Sequence, residues 1–132
     1  ISACLVGSEM CIRDRPYTTF MMRKDTIENE PGFAAAFVRA IYRAQKWVWA
    51  AGDEEVAYAM QSYFPDTDIA TLSAVAKSYR ATDSWTKVPT MTEDAFTRPQ
   101  DILDGAGELA ARIELSELVD NSFGEAAISE IG

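Results

Sequence analysis

One stretch of regularly spaced apolar residues constrains the fold of this 132-residue chain more than any other feature. Beyond Pro31, apolar side chains recur at the spacing of a single helix face, at Phe33, Phe37, Ile41, Ala44 and Val48. Pro31 suits the first turn of a helix, where a missing N–H is no loss, and Gly52 suits its C-terminal stop. The pattern predicts one long amphipathic helix between these two residues.

Shorter helical segments follow the long one. Asp53, Asp68 and Thr92 stand where polar caps would start three of them, and Ser116 begins the last. Pro99 lies inside the segment after Thr92 and is expected to kink or split it. The residues expected to face inward are Val56, Met60 and Phe64, then Ile69, Leu72, Val75 and Tyr79, and finally Leu118, Val119, Phe123 and Ile128.

Strand character is concentrated near the start of the chain. Pro16–Asp25 reads PYTTFMMRKD and is rich in aromatic and β-branched residues, while Ala111–Leu115 is short and extended. The chain is therefore predicted to be mostly α, with one or two short strands. Because a lone strand is not stable, its partners should lie in sequence outside this chain. Tyr17, Thr18 and Thr19 carry hydroxyl groups that could line a small-ligand cleft, although ordinary strand propensity also explains them.

Both cysteines, Cys4 and Cys11, fall in the first fifteen residues. Two thiols without histidine or further cysteine cannot complete a zinc site, and a disulfide across so short a loop is one alternative. A third interpretation is favoured, because Leu5–Asp14 resembles the conceptual translation of a sequencing adapter. Residues 1–15 are therefore predicted to be non-native. Residues 16–132 are then expected to be the C-terminal part of a longer protein.

The composition argues against several classes of function. The net charge of −9 disfavours binding to nucleic acid or to an anionic membrane. The chain has no histidine, which removes the commonest general base and metal ligand. We therefore expect no catalytic residue, no metal and no cofactor here.

Four groups of polar or aromatic residues each have a functional and a simpler structural interpretation, and the structural one is favoured. Asp53–Glu55 suggests a cation ligand set but fits a helix N-terminus, and Trp47 with Trp49 suggests stacking on a ligand but fits amphipathic packing. Asp104–Glu108 fits a helix stop rather than a phosphate loop, and Asp120 with Asn121 fits a helix cap rather than a polar site.

Several segments together resemble a known family. They are a strand, then Asn29-Glu30-Pro31 opening a helix, Lys46-Trp47 near its end, Phe96–Asp101, and a closing Leu118–Phe123. In this order they resemble the C-terminal part of a periplasmic substrate-binding protein of an ABC transporter. The branch includes proteins that bind nitrate, taurine, alkanesulfonates and thiamine-pyrimidine precursors. The resemblance covers roughly Pro16–Gly132.

This resemblance implies an α/β parent protein of the type II periplasmic binding fold. Such a protein is a monomer that closes on a small ligand and delivers it to a membrane permease, outside the cytoplasm. The ligand would be a sulfonate, nitrate or a pyrimidine, and no reaction would be catalysed. Most ligand contacts would lie upstream of this chain, but Tyr17, Thr18 and Thr19 would lie near the hinge and are the candidate substrate-binding residues.

Two alternatives remain open from the sequence. One is an enzyme of the same fold that resembles thiamine-pyrimidine synthases, which use pyridoxal phosphate and a histidine. The other is a free-standing acidic helical interaction domain. If the chain is part of a larger α/β protein, it should expose apolar surface where the remainder packs, and its stability alone should be marginal.

Overall fold

The computed structural model describes residues 19–132, in which the chain is mostly helical, as expected. Within this range there are seven helices: α1 (Lys24–Asn29), α2 (Pro31–Ala50), α3 (Asp53–Gln61), α4 (Ile69–Ala81), α5 (Glu93–Gly105), α6 (Leu115–Leu118) and α7 (Ser122–Ile131). None of them combines the length and apolarity needed to cross a bilayer. The segment predicted to be non-native, residues 1–15, lies outside the described residues, as do Tyr17 and Thr18.

The prediction of one or two short strands is wrong for residues 19–132, which contain no strand. Thr19–Arg23 has no regular secondary structure, and Lys24 and Asp25, assigned to the strand, begin α1 instead. The extended segment before α6 is not paired with another strand either. The physical reason is that this part of the chain supplies no partner whose backbone could complete a ladder.

Helix α2 begins and ends where the sequence predicted, at Pro31 in its first turn and just before Gly52. Its most buried face, however, is not the predicted one. Ala34 and Tyr42 are buried, whereas Phe33 is 54% exposed and Ala44 is exposed. The helix therefore turns a neighbouring face to the rest of the chain, and the predicted apolar face is only partly covered.

Two of the predicted caps are confirmed and one is wrong. The Asp68 carboxylate accepts from the Thr71 N–H at 2.9 Å, and Thr92 Oγ1 accepts from Ala95 N–H at 3.3 Å. Asp53 is not a cap, since Gly52 occupies that position and Asp53 is the first residue of α3. Its carboxylate points to Arg80 instead, which removes it from the cap role.

Helices α4 and α5 end in the same hydrogen-bonded turn. At the end of α4, Asp83 N–H bonds to Arg80 C=O and Ser84 N–H to Tyr79 C=O, with Asp83 at a φ of 48°. The end of α5 repeats this Schellman arrangement with Gly107 at a φ of 73°. The predicted helix stop in Asp104–Glu108 is thus confirmed. Pro99 does not split α5, which continues through it, and the alternative of a kink stays a prediction.

Three helix pairs account for most of the packing. Helix α3 packs against α4, and α2 packs against both α7 and α1. The buried residues are mostly small: Ala34, Tyr42, Ala51, Val56, Ala57, Leu72, Ala76 and Ala127. Hydrophobic stabilisation is proportional to the apolar area removed from water. A core made mostly of alanine therefore contributes little free energy per residue.

Several residues predicted to face inward are exposed instead. Phe64, Val75, Tyr79 and Leu118 have between 38% and 69% of their surface accessible. Val56 and Leu72 are buried as predicted. Large apolar side chains are therefore exposed in this part of the chain, and their burial against the rest of a longer protein stays a prediction.

The cap of α4 makes a prediction about titration. Hydrogen bonds from the Thr71 N–H and hydroxyl hold the pKa of Asp68 below its ordinary value of 3.8. Because the pKa is lowered in the folded state, the cap stabilises the fold at pH values above 3.8. This stabilisation is lost as the pH falls through the folded-state pKa. In Thr71→Val the hydroxyl donor is gone, so the pKa of Asp68 should rise toward 3.8. The remaining bond from the Thr71 N–H should keep this pKa below 3.8.

This titration can be followed by NMR through the Asp68 carboxyl carbon. Thr97→Val, a matched change on α5, should leave the Asp68 midpoint where it is. An equal midpoint in Thr71→Val and in the parent chain would contradict the hydroxyl's role.

Candidate functional site

The predicted substrate-binding residues lie at or beyond the edge of the described chain. Thr19 is exposed, and its hydroxyl lies 3.5 Å from the carbonyl oxygen of the adjacent Phe20. Tyr17 and Thr18 lie outside the described residues. The assignment of these three residues to a ligand site therefore stays a prediction.

A concavity of about 430 Å³ opens beside the C-terminal end of α2. It is lined by Lys46, Trp49, Ala50 and Lys87. Lys87 Nζ lies 4.4 Å from the centroid of the Trp49 ring, a cation–π contact. The predicted packing role of Trp49 is consistent with this half-buried position, whereas Trp47 is 40% exposed.

Both lysines of this concavity already have partners. Lys46 Nζ donates to the carbonyl oxygen of Gly132 and lies 5.8 Å from the centroid of the Tyr42 ring. The Gly132 carbonyl lies at the C-terminal end of α7, where the helix dipole favours a cation without any ligand. The lining offers positive charge and an aromatic face, but no carboxylate, thiol or hydroxyl to perform acid–base or nucleophilic chemistry.

The loop between α4 and α5 is held by one side chain on α2 and one just before α7. Gln45 Nε2, on α2, donates to Thr86 Oγ1 at 2.7 Å. Asn121, beside α7, makes two bonds to one residue: its Oδ1 accepts from Met91 N–H and its Nδ2 donates to Met91 C=O, each at 2.9 Å. This pair clamps the loop to the N-terminus of α7.

The junction of α2, α3 and α4 is organised by Arg80. Its Nη2 donates to the carbonyl oxygens of Val48 at 2.8 Å and Ala51 at 2.6 Å. Its Nη1 lies 2.9 Å from Asp53 Oδ1, with the Arg80 side chain only 20% exposed. One guanidinium thus satisfies the C-terminal carbonyls of α2 and pairs with the first turn of α3.

The motifs that carry the family resemblance have structural roles here. Gln100 forms a two-bond pair with Ile113, donating to its carbonyl at 3.0 Å and accepting from its N–H at 2.8 Å. Asp101 and Asp104 bind Arg112 at 2.7 and 2.9 Å, and these contacts raise the pKa of that guanidinium. These bonds fold the segment before α6 back onto α5.

In the closing motif, Leu118–Phe123, the neighbouring residues Asp120 and Asn121 make different contacts. Asp120 Oδ1 accepts from both the N–H and the hydroxyl of Ser122, at 2.9 and 2.6 Å. Asp120, one position before the cap, thus accepts from the first N–H of α7. Asn121 occupies the predicted cap position, but its side chain is committed to Met91 and makes no cap bond.

No cluster suited to a metal ion occurs among residues 19–132. Asp53–Glu55, considered from the sequence as a cation ligand set, forms the first turn of α3, as the simpler explanation predicted. Negative charge in that turn is stabilised by the helix dipole.

The residues that sequence reasoning missed are Gln45, Arg80 and Lys87, together with the clamp made by Asn121. Each acts on a partner about thirty or more positions away along the chain, and no local pattern reports such a partner. A weak signal existed for Arg80, since a basic residue in the last turn of a helix commonly binds nearby carbonyls.

Comparison with known proteins gives one informative relative. The chain is 31% identical over 115 residues to "Putative binding protein YtlA" of Bacillus subtilis (strain 168), a match that covers 87% of the chain. The same match covers 34% of the relative, so the chain spans about a third of that protein's length. No protein-family model and no solved structure matches the chain. The similarity therefore supports a binding role in general.

Proposed function

We propose that the chain is the C-terminal part of the solute-binding component of an ABC importer. Its ligand would be small, of the sulfonate, nitrate or pyrimidine type, and its working place would be outside the cytoplasm. The observation that carries the proposal is the 31% identity to a protein named for binding, across 87% of this chain.

The contacts in residues 19–132 support a structural part for this piece within such a protein. Gln100, Asp101 and Asp120, which belong to the motifs of the resemblance, all hold backbone or side chains of the same chain. The concavity beside α2 carries no acid–base or nucleophilic group. A scaffold that supports a ligand pocket formed largely elsewhere accounts for both features.

The test uses the full-length protein whose gene encodes this chain, titrated by calorimetry with nitrate, taurine and an aminomethylpyrimidine in turn. One of the three should bind with a stoichiometry of one. At a free concentration about 100 times its Kd, that ligand should stabilise the protein by about 2.7 kcal/mol, seen as a rise in Tm. The other two serve as matched negative controls.

Two outcomes would contradict the proposal. One is the absence of heat and of a Tm shift with all three probes. The other is turnover, in which the full-length protein incubated with pyridoxal phosphate forms a pyrimidine product. A transport assay adds a second line of support, because cells lacking the gene should lose uptake of the ligand that binds.

A further inference from the structure

The outer face of α2 is apolar, and none of the residues that the structure describes covers it. Helical geometry places Phe33, Ala36, Ala40, Ala44 and Trp47 on one side, about 21 Å from end to end, and all five are exposed. The exposed Arg43 borders this arc on one side, and the half-buried Phe37 and Val48 border it on the other. We call these five residues the outer face of α2.

The same patch continues beyond the helix. Phe20 packs edge-to-face on Phe37 with a centroid separation of 5.2 Å, yet remains 71% exposed, and the adjacent Met21 is 90% exposed. Contiguous exposed apolar surface of this kind marks an interaction site in a soluble protein. The opposite side of α2 is already used, because Ala34 and Tyr42 are buried and α7 packs against this helix.

Charge argues against a second copy of this chain as the occupant. The chain carries a net charge of −9, so pairing two copies would bring together two strongly acidic bodies. The occupant that fits is an equally apolar surface held close by covalent connection.

The length of the relative identifies a source for that surface. The chain corresponds to 34% of the Bacillus subtilis protein, so about two thirds of a protein of that length would lie outside these residues. We propose that the outer face of α2 packs against this remaining part of the longer polypeptide. The inference rests on the proposed membership of a longer binding protein, but it does not depend on which ligand that protein binds.

The test measures how fast a cysteine placed on the face reacts with a maleimide. In the full-length protein, Ala40→Cys should react more than about tenfold slower than Ser129→Cys, because a covered residue reacts only after local opening. Ser129 is a matched control on the exposed acidic side of α7, next to Glu130. In denaturant the two variants should react at the same rate.

A second comparison uses the 132-residue chain with Cys4→Ser and Cys11→Ser. There Ala40→Cys should react as fast as Ser129→Cys, since none of residues 19–132 covers the face. Equal rates for the two variants in the full-length protein would overturn the inference. Slow reaction of Ala40→Cys in the 132-residue chain, together with a dimer by sedimentation, would overturn it in favour of a second copy. Neither measurement uses a ligand. A failure of the full-length protein to bind nitrate, taurine or a pyrimidine would therefore not change the labelling result.

Discussion

Arg80→Met should lower the free energy of unfolding of the chain by about 2–4 kcal/mol, measured by urea denaturation followed by circular dichroism. The substitution keeps much of the apolar stem but removes all three guanidinium contacts. The carbonyls of Val48 and Ala51 lose their donor, and the Asp53 carboxylate loses its ion-pair partner. Leaving several part-buried polar groups unpaired costs more than the bonds contributed when formed.

Arg39→Met is the matched control for this effect. Arg39 pairs with Glu130 at 3.2 Å, but the two side chains are 35% and 55% exposed. An ion pair so open to water contributes little, so this variant should lose less than about 1 kcal/mol. If the two arginine variants lost equal stability, the junction role of Arg80 would be wrong.

Arg80→Lys separates geometry from charge. A single ammonium keeps the positive charge but lacks the planar fork that contacts two carbonyls and a carboxylate at once. The free energy of unfolding of Arg80→Lys should fall between that of the parent chain and that of Arg80→Met. A double-mutant cycle with Asp53→Ala then isolates the ion pair, because Asp53→Ala should cost less in the Arg80→Met background than in the parent.

Local signals located the ends of the helices well. Pro31, Asp68 and Thr92 each act within one turn of their own position, so the residue type and its neighbours were sufficient to predict them. The strand prediction failed because β-propensity at Thr19–Asp25 describes a preference that only a partner strand can satisfy.

The candidate site was less predictable, because it depends on contacts between distant parts of the chain. Gln45 reaches Thr86, 41 positions away, and Asn121 reaches Met91, 30 positions away. The helical period of α2 marked an apolar face correctly, but the helix is apolar on a second side as well. Period alone does not say which of two such sides a chain buries first.

Gly124→Ala should destabilise the chain by about 1–3 kcal/mol, even though alanine is the better helix former. Gly124 lies in α7 directly beneath the loop before α5. A Cβ there would sit 2.4 Å from the Pro89 carbonyl oxygen and 2.8 Å from Thr90 Cγ2. The clash with Pro89 involves backbone, and the Asn121 clamp on Met91 prevents the loop from moving away cheaply.

Gly105→Ala provides the matched control, because a Cβ at that helical position meets no atom within 4 Å. It should be neutral or should stabilise the chain by up to about 1 kcal/mol, through helix propensity alone.

Adding Thr90→Ser to Gly124→Ala removes the Cγ2 contact but not the contact with the Pro89 oxygen, so it should restore only part of the lost stability. Full recovery would mean that the threonine methyl, rather than the clamped backbone, sets the cost. If Gly124→Ala were as stable as Gly105→Ala in urea, the loop before α5 would have moved away from the new Cβ. That result would contradict the inference that the Asn121 clamp holds this loop in place.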